Sequence, residues 1–349
     1  MPDKPYETVG PLLDAIGDPL IVVDRDIVTA ANLAAKSLLG RDIGGARLDA
    51  LLPEGTVPPL SGGREPVSTE VTGLGGPRRH WEMRVSRLDD RRRLIHLIDR
   101  TAIAAAERMR VDFVANASHE LRTPITAISG FAETLADDAA GGDSETRHRF
   151  VAIIAREARR MHRLIDDLLS LSRIEADRHV EPQARTDLSS IVRDAAKAAA
   201  EQRMPRGADL EFGRIDAAMT VRGDAAQLAQ LTHNLVSNSF KYGRPGSPVT
   251  VTLVRTRDKA RLEVRDQGEG IAAEHLPRIT QRFYRVDTAR SRLVGGTGLG
   301  LAIVKHIVER HAGRLEIRSE QGVGTAVVVV LPLARTEPSS NRNPTVTLA

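Results

Sequence analysis

At 349 residues, with 50 Lys and Arg against 46 Asp and Glu, the chain has room for two or three domains and a formal net charge of only +4. It contains no cysteine, which excludes disulfides, thiolate metal sites and a cysteine nucleophile and suits a reducing compartment. Aromatic residues make up 3% and the charges are interspersed, so no stacking surface or basic stripe for nucleic acid is expected.

Residues 1–100 carry strand and helix signals in turn, as an α+β module would. Pro19-Leu20-Ile21-Val22-Val23-Asp24 reads as a strand, Ala31 to Leu39 as a helix stopped by Gly40, and Leu94-Ile95-His96-Leu97-Ile98 as the last strand. His80, Trp81 and His96 are candidates for lining a ligand cavity, although core packing is the ordinary role of a ring as large as Trp81. The runs Arg78-Arg79-His80 and Arg91-Arg92-Arg93 read as solvated strand ends. No apolar run approaches the about 18 residues that a membrane-crossing helix needs, and the N-terminus lacks the basic and apolar regions of a secretory signal.

Residues 101–110 form an Ala-rich, charged helical linker into the next helix, so a change in the first module is expected to travel as rotation or bending of one rod. In that helix Val114, Ala117, Leu121, Pro124, Ile128, Phe131 and Leu135 recur at three- and four-residue steps, a seam that packs on other helices. His119 lies midway between Ala117 and Leu121, roughly 200° around the helix from each, so it points into water. Glu120 adjoins it and Thr123 follows one turn later. A carboxylate beside an imidazole can hold one ring nitrogen as N–H and leave the other lone pair free to attack, although a surface histidine beside a glutamate is ordinarily just a solvated helix face. Pro124 lacks the N–H for the carbonyl of Glu120 and is expected to bend the helix there. Asp138 to Ser144, with Gly141-Gly142, reads as a hairpin turn. The second helix presents Phe150, Ile154, Met161, Leu164, Leu168 and Leu171, interrupted by Glu157. Two such helices bury little alone, so residues 111–180 are expected to pair with a second copy as a four-helix bundle.

After Pro182 a further domain is expected over residues 185–335. Asp224, with Gln227 three residues on, caps a helix whose stripe is Leu228, Leu231 and Leu235 and whose stop is Gly243. Asn234, Asn238 and Lys241 line one face beside that stripe. Two amides and an ammonium suit a hard cation and phosphate oxygens, and equally an ordinary polar helix face. Ala260 to Arg265 alternates as a strand and ends in Asp266-Gln267-Gly268-Glu269-Gly270-Ile271, where a carboxylate can accept from an exocyclic amine such as adenine's and Gly268 and Gly270 let a ring approach. Gly295-Gly296-Thr297-Gly298-Leu299-Gly300 opens the helix from Ala302 to Val308, an arrangement that aims backbone N–H groups and the helix dipole at phosphate. It has neither the Walker spacing nor the dinucleotide fingerprint. Gly322-Val323-Gly324-Thr325 leads into the strand Ala326 to Leu331, and the Pro-, Ser- and Asn-rich tail, 336–349, is expected to be disordered.

The order of these elements resembles a bacterial two-component sensor histidine kinase over roughly residues 105 to 335. The phospho-acceptor box surrounds His119, the asparagine box runs from Asn234 to Tyr242, the aromatic box is Arg282-Phe283-Tyr284-Arg285-Val286-Asp287, and glycine boxes fall at Asp266–Gly270, Gly296–Gly300 and Gly322–Gly324. The wording around His119 is most similar to the phosphate-regulon sensor branch. Gln267, Ser239 and Ile279-Thr280-Gln281 depart from the usual pattern without removing a reacting group. The first hundred residues loosely resemble a PAS sensory domain at the Asp24 strand, the Asn32 helix and Leu39-Gly40.

The resemblance implies a multidomain α+β chain with a PAS-like sensory domain, a dimeric helical hairpin bearing the acceptor histidine, and an α/β-sandwich ATP-binding domain of the histidine kinase, gyrase and chaperone type. It implies ATP and magnesium (Mg2+) as cofactors, the metal held chiefly by Asn238 with Asn234 beside it. Lys241 and the backbone of Gly296, Thr297, Gly298, Leu299 and Gly300 would neutralise phosphate, Asp266 would select adenine with Gly268 and Gly270 beside it, Tyr242 would pack on the ring, and Phe283 and Thr325 complete the ATP-binding set. The phosphoryl group passes to His119 and then to an aspartate on a response-regulator receiver domain, with Thr123 positioning water for the reverse dephosphorylation. The expected partners are a second copy and that regulator, with no nucleic acid. The expected place is the cytoplasm, at the inner face of the membrane if an anchor precedes this segment. A clamp ATPase would carry a catalytic glutamate where Asn234 stands and no His119 box. A silent scaffold would have lost Asn238, Asp266 or the glycines, and a DNA-binding regulator would show a recognition helix.

Overall fold

The computed structural model describes residues 11–40, 43–53, 56, 66–136, 143–177, 180–203, 206–286 and 296–334, and it divides into two units, Met1–Ala115 and Asn116–Ala349. The expected turn glycines Gly141-Gly142, along with Asp287, Gly295 and the tail 336–349, lie outside the described residues.

In the first unit β1 (Leu20–Asp24), β2 (Ile27–Ala31), β3 (Val67–Thr72), β4 (His80–Arg87) and β5 (Arg92–Asp99) form an antiparallel sheet in the order β2-β1-β5-β4-β3. Alternate residues such as Ile21, Val23, Met83, Val85, Ile95 and Leu97 face one core, which the helices α1 (Leu33–Leu39) and α2 (Leu48–Leu51) help to close. The helix expected from Ala31 begins two residues later, because Ala31 ends a strand that the sequence reading did not separate. Asn32 makes the junction. It is fully buried, and its Oδ1 accepts from the N–H groups of Leu20 and Ala35, both at 2.9 Å, while Nδ2 donates to the carbonyls of Leu13, Ile16 and Asp18. A buried amide with every bond filled fixes the chain where it turns from strand to helix. Trp81 is core, its Nε1 donating to the Leu74 carbonyl at 2.9 Å. Half-buried His96 lies 2.8 Å from the Asp18 carboxylate.

The long helix α3 (Thr101–Ala136) continues through Pro124, and α4 (Ser144–Ala176) starts from Asp143, whose carboxylate accepts from the N–H groups of Glu145 and Thr146. Phe131 against Phe150, with ring centroids 5.1 Å apart, and Glu120 against Arg160 set the two helices antiparallel. Leu164, Leu171 and Ile174 are buried, whereas Ile125, Val151, Ile165 and Leu169 remain exposed.

The rest of the second unit is a sheet under helices. β7 (Leu210–Ile215), β9 (Val249–Thr256), β10 (Lys259–Asp266), β11 (Arg314–Glu320) and β12 (Gly324–Pro332) run in the order β11-β12-β10-β9-β7, with β7 parallel to β9 and the other neighbours antiparallel. β6 (Arg185–Asp187) pairs with β8 (Thr220–Arg222) apart from it. Val249, Val251 and Leu253 alternate with half-buried residues, so the sheet buries one face, and it does so under α5 (Leu188–Glu201), α6 (Ala225–Tyr242) and α7 (Gly300–Arg310). Asp224 caps α6 as expected, accepting from Ala226 and Gln227 N–H. The reciprocal half of that cap is not made by Gln227, because the N–H of Asp224 donates instead to Nε2 of buried His311 at 3.1 Å.

Candidate active site

The C-terminal half of α6, the end of β10 and the turn into α7 enclose a cavity of about 280 Å³, near the lower end of the range that small-molecule sites span. Its walls bring together Asn234, Asn238, Lys241, Tyr242, Asp266, Gly270, Gly296, Thr297, Gly298, Gly300 and Thr325 from the sequence reading. Gly268, Phe283 and Leu299 do not line it. Leu299 is a core residue, and the N–H of Phe283 donates to the Gly298 carbonyl at 2.9 Å, bracing the turn from behind. His119 stands exposed outside the cavity, as the heptad argument requires.

Asp266 lines the cavity from the end of β10. It is buried, and its Oδ1 accepts from Gly268 N–H at 3.0 Å and Thr325 N–H at 3.3 Å. Burial pushes its pKa up, opposed by these hydrogen bonds and by one from Ser239. Gly270 has φ +67, and a Cβ there would collide with the backbone of Glu320, so only glycine lets β10 leave the sheet this close to β11.

Lys241 is the opposite pole. Burial, aided by Arg203 and Arg163, pushes its ammonium down to about 8, while Asp167 partly restores it. Asn234 and Asn238 face Gly300 in the first turn of α7, where a Cβ would come within 3.6 Å of the Asn238 amide. The amide pair is a pocket of hard oxygen donors beside a helix N-terminus, which fits a partly hydrated magnesium ion bound to phosphates.

The helical hairpin reaches this cavity. Asp167 of α4 is on its wall and accepts a 2.8 Å hydrogen bond from Thr297 Oγ1, while Ser170 Oγ donates to Gln230 at 2.8 Å and Glu175 pairs with Arg282. Arg285 also lines the cavity. Its Nη2 is 2.9 Å from Oε2 of Glu120, which Arg160 holds at 3.1 Å, and its Nε and Nη1 are buried without a partner among the described residues. The carboxylate expected to orient His119 is therefore gripped by two arginines. Thr123 Oγ1 donates to the carbonyl of His119 at 3.2 Å, a bond within its own helix.

Arg285 and Asp167 are among the cavity-lining residues to which the sequence reading gives no role, with Ser239, which bonds to Asp266, and Glu269 beside them. Arg285 lay in the aromatic box without a function, and nothing distinguishes Asp167 from its neighbour Asp166 until the fold turns one of them inward.

Residues 223–335 match the family described as histidine kinase-, DNA gyrase B- and HSP90-like ATPase, and residues 109–177 match the His kinase A phospho-acceptor domain. The phosphate regulon sensor protein PhoR of Pseudomonas aeruginosa is 37% identical in an alignment of 324 residues that covers 89% of this chain and 71% of that protein. The chain belongs to the sensor histidine kinases. The sensor-like histidine kinase SenX3 of Mycobacterium bovis is 38% identical over 273 residues, covering 76% of this chain, which spans 65% of that protein. Among solved structures, the mycobacterial sensor histidine kinase MprB is similar at 30% identity, covering 44% of this chain and 99% of that one with a TM-score of 0.38. This sensor histidine kinase is thus an ATP-using protein kinase of a two-component system. Among the described residues, no helix is long and apolar enough to cross a membrane.

Proposed function

We propose that this kinase autophosphorylates His119 from magnesium-ATP and passes the phosphoryl group to an aspartate of a response-regulator receiver domain. Arg285 carries the reading: one guanidinium on the cavity wall has two unpaired nitrogens, Nε and Nη1, to donate to a phosphate and its third nitrogen, Nη2, on Glu120, the neighbour of His119. Asp266 accepts from the adenine amine, Tyr242 packs on the ring, and Lys241 with the Gly296–Gly300 turn neutralises the phosphates. Asn238 and Asn234 would hold magnesium, which would supply positive charge against the phosphates. In the transfer a ring nitrogen of His119 bonds to the γ-phosphorus, the bond to the bridging oxygen breaks, ADP leaves, and Glu120 takes the imidazole proton. Both arginines hold Oε2, which leaves Oε1 for that proton.

The exposed Ile125, Val151, Ile165 and Leu169 support a homodimer that completes a four-helix bundle. Residues 1–100 would serve as a PAS-like sensory domain, and likeness to PhoR favours phosphate-starvation signalling, from the cytoplasm or the inner membrane face. Incubation with γ-labelled ATP and magnesium tests the reaction, because phosphohistidine is acid-labile and alkali-stable; label stable to acid would exclude it.

Asn238→Ala deletes a ligand oxygen and is expected to weaken magnesium-dependent ATP binding at least about tenfold, with little change in its absence. Equal affinities with and without magnesium in both proteins would remove Asn238 from the metal site.

Thr123→Ala is expected to leave autophosphorylation within about twofold and to slow regulator dephosphorylation about tenfold, since the hydroxyl can turn from the His119 carbonyl to a water in line with a phospho-aspartate. Both rates, measured on one preparation, decide it. A parallel fall would make Thr123 a helix-supporting residue beside Pro124.

A further inference from the structure

The nucleotide cavity contains a negative charge that the family chemistry does not call for. Asp167 belongs to α4 of the hairpin, yet its carboxylate lines the cavity, 2.8 Å from Thr297 Oγ1 in the turn that receives phosphate. It is also within the field of Lys241, the cavity's ammonium. Helix spacing explains how it gets there: Asp167, Ser170, Leu171, Ile174 and Glu175 recur at three- and four-residue steps on one face of α4, and Ser170 and Glu175 bond to Gln230 and Arg282. When this face is seated, an anion from the hairpin stands where the hydroxyl of Thr297 and the ammonium of Lys241 would otherwise meet phosphate oxygens.

Resting on the reading of this cavity as the ATP site, we infer that Asp167 is a built-in competitor of the nucleotide phosphates, an affinity-setting residue supplied by the hairpin. The carboxylate satisfies Thr297 and Lys241 in the seated state. An arriving triphosphate brings like charge into the same low-dielectric space, so binding is weakened until α4 withdraws. Nucleotide loading and release of the hairpin are thereby coupled, because each disfavours the seated Asp167. The effect must grow with the number of phosphates and vanish for adenosine.

The full chain, without divalent cation, tests this by competition of adenosine, ADP and ATP against a fluorescent ATP analogue. Asp167→Asn keeps an oxygen that can accept from Thr297 but removes the charge. It is expected to tighten ATP about tenfold and ADP less, leaving adenosine within about twofold; tenfold is about 1.4 kcal/mol. If Asp167→Asn binds all three ligands like the wild type while Asp167→Ala binds more tightly, the hydrogen bond alone matters and charge competition is overturned. Weaker ATP binding by Asp167→Asn would also overturn it, making Asp167 a ligand-side group. The Lys241→Gln variant separates this from the parent reading: if it loses ATP affinity, the phosphate site stands whatever Asp167 does. If the wild type binds no nucleotide, both readings fall.

Discussion

His119→Ala is expected to abolish incorporation of acid-labile label from γ-labelled ATP, a fall of at least about a hundredfold, while ATP affinity stays within about twofold. The two effects part because His119 is exposed on α3 and lines no part of the cavity formed by α6, β10 and the turn into α7. Stability should hold as well, since an exposed helix position changed to alanine ordinarily shifts it by no more than about 0.5 kcal/mol. Glu120 keeps both of its arginines in the variant, so the docked hairpin is preserved and a loss of label reports the missing nucleophile. Acid-labile label at wild-type level in His119→Ala would sink the assignment and turn attention to exposed His162 of α4. Measuring label and nucleotide affinity on one preparation gives the answer.

What the sequence makes legible is set by how local each physical signal is. The α6 cap at Asp224, the stop at Gly243 and the alternation of β10 are written in neighbouring residues, and the structure has each of them. The outward turn of His119 follows from helix geometry alone. Asp266 and the Gly296–Gly300 turn were identifiable because strand ends and glycine turns announce backbone that a ligand can approach. The misses are long-range. Ala31 closes a strand because Asn32 is tied to Leu13, Ile16, Asp18 and Leu20, and no local pattern reveals those bonds. Gln227 loses the reciprocal cap to His311, which lies 87 residues from the Asp224 N–H that it takes. Arg285 and Asp167 acquire their roles only when α4 and α3 lie against the cavity, so their identity as site residues belongs to the packing of the hairpin.

Asp266 is where the cavity should discriminate between bases, and two substitutions separate its duties. Asp266→Ala strips the acceptor from the buried N–H of Gly268 and the half-buried N–H of Thr325, and an orphaned buried donor costs about 1–3 kcal/mol, so this variant should melt lower as well as lose ATP. Asp266→Asn keeps an oxygen for those donors but turns an N–H toward the adenine amine, setting donor against donor. Its fold should survive, its ATP affinity should fall about a hundredfold, and the preference for ATP over GTP should shrink, because a site built to pair one group loses most when that pairing reverses. The pH dependence has a definite sign. Burial raises the carboxyl's pKa above its unfolded value, so the protonated form favours the fold; that contribution is present at low pH and is lost as pH rises through the folded pKa. In the proposed role, Asp266 accepts from adenine in its ionised form. ATP affinity should therefore fall on acidification at a higher pH than an exposed aspartate would give, and Asp266→Asn should flatten this limb. Calorimetric titration of the full chain across that range checks it, and an Asp266→Asn protein that keeps wild-type affinity and the acid limb would place adenine recognition elsewhere in the cavity.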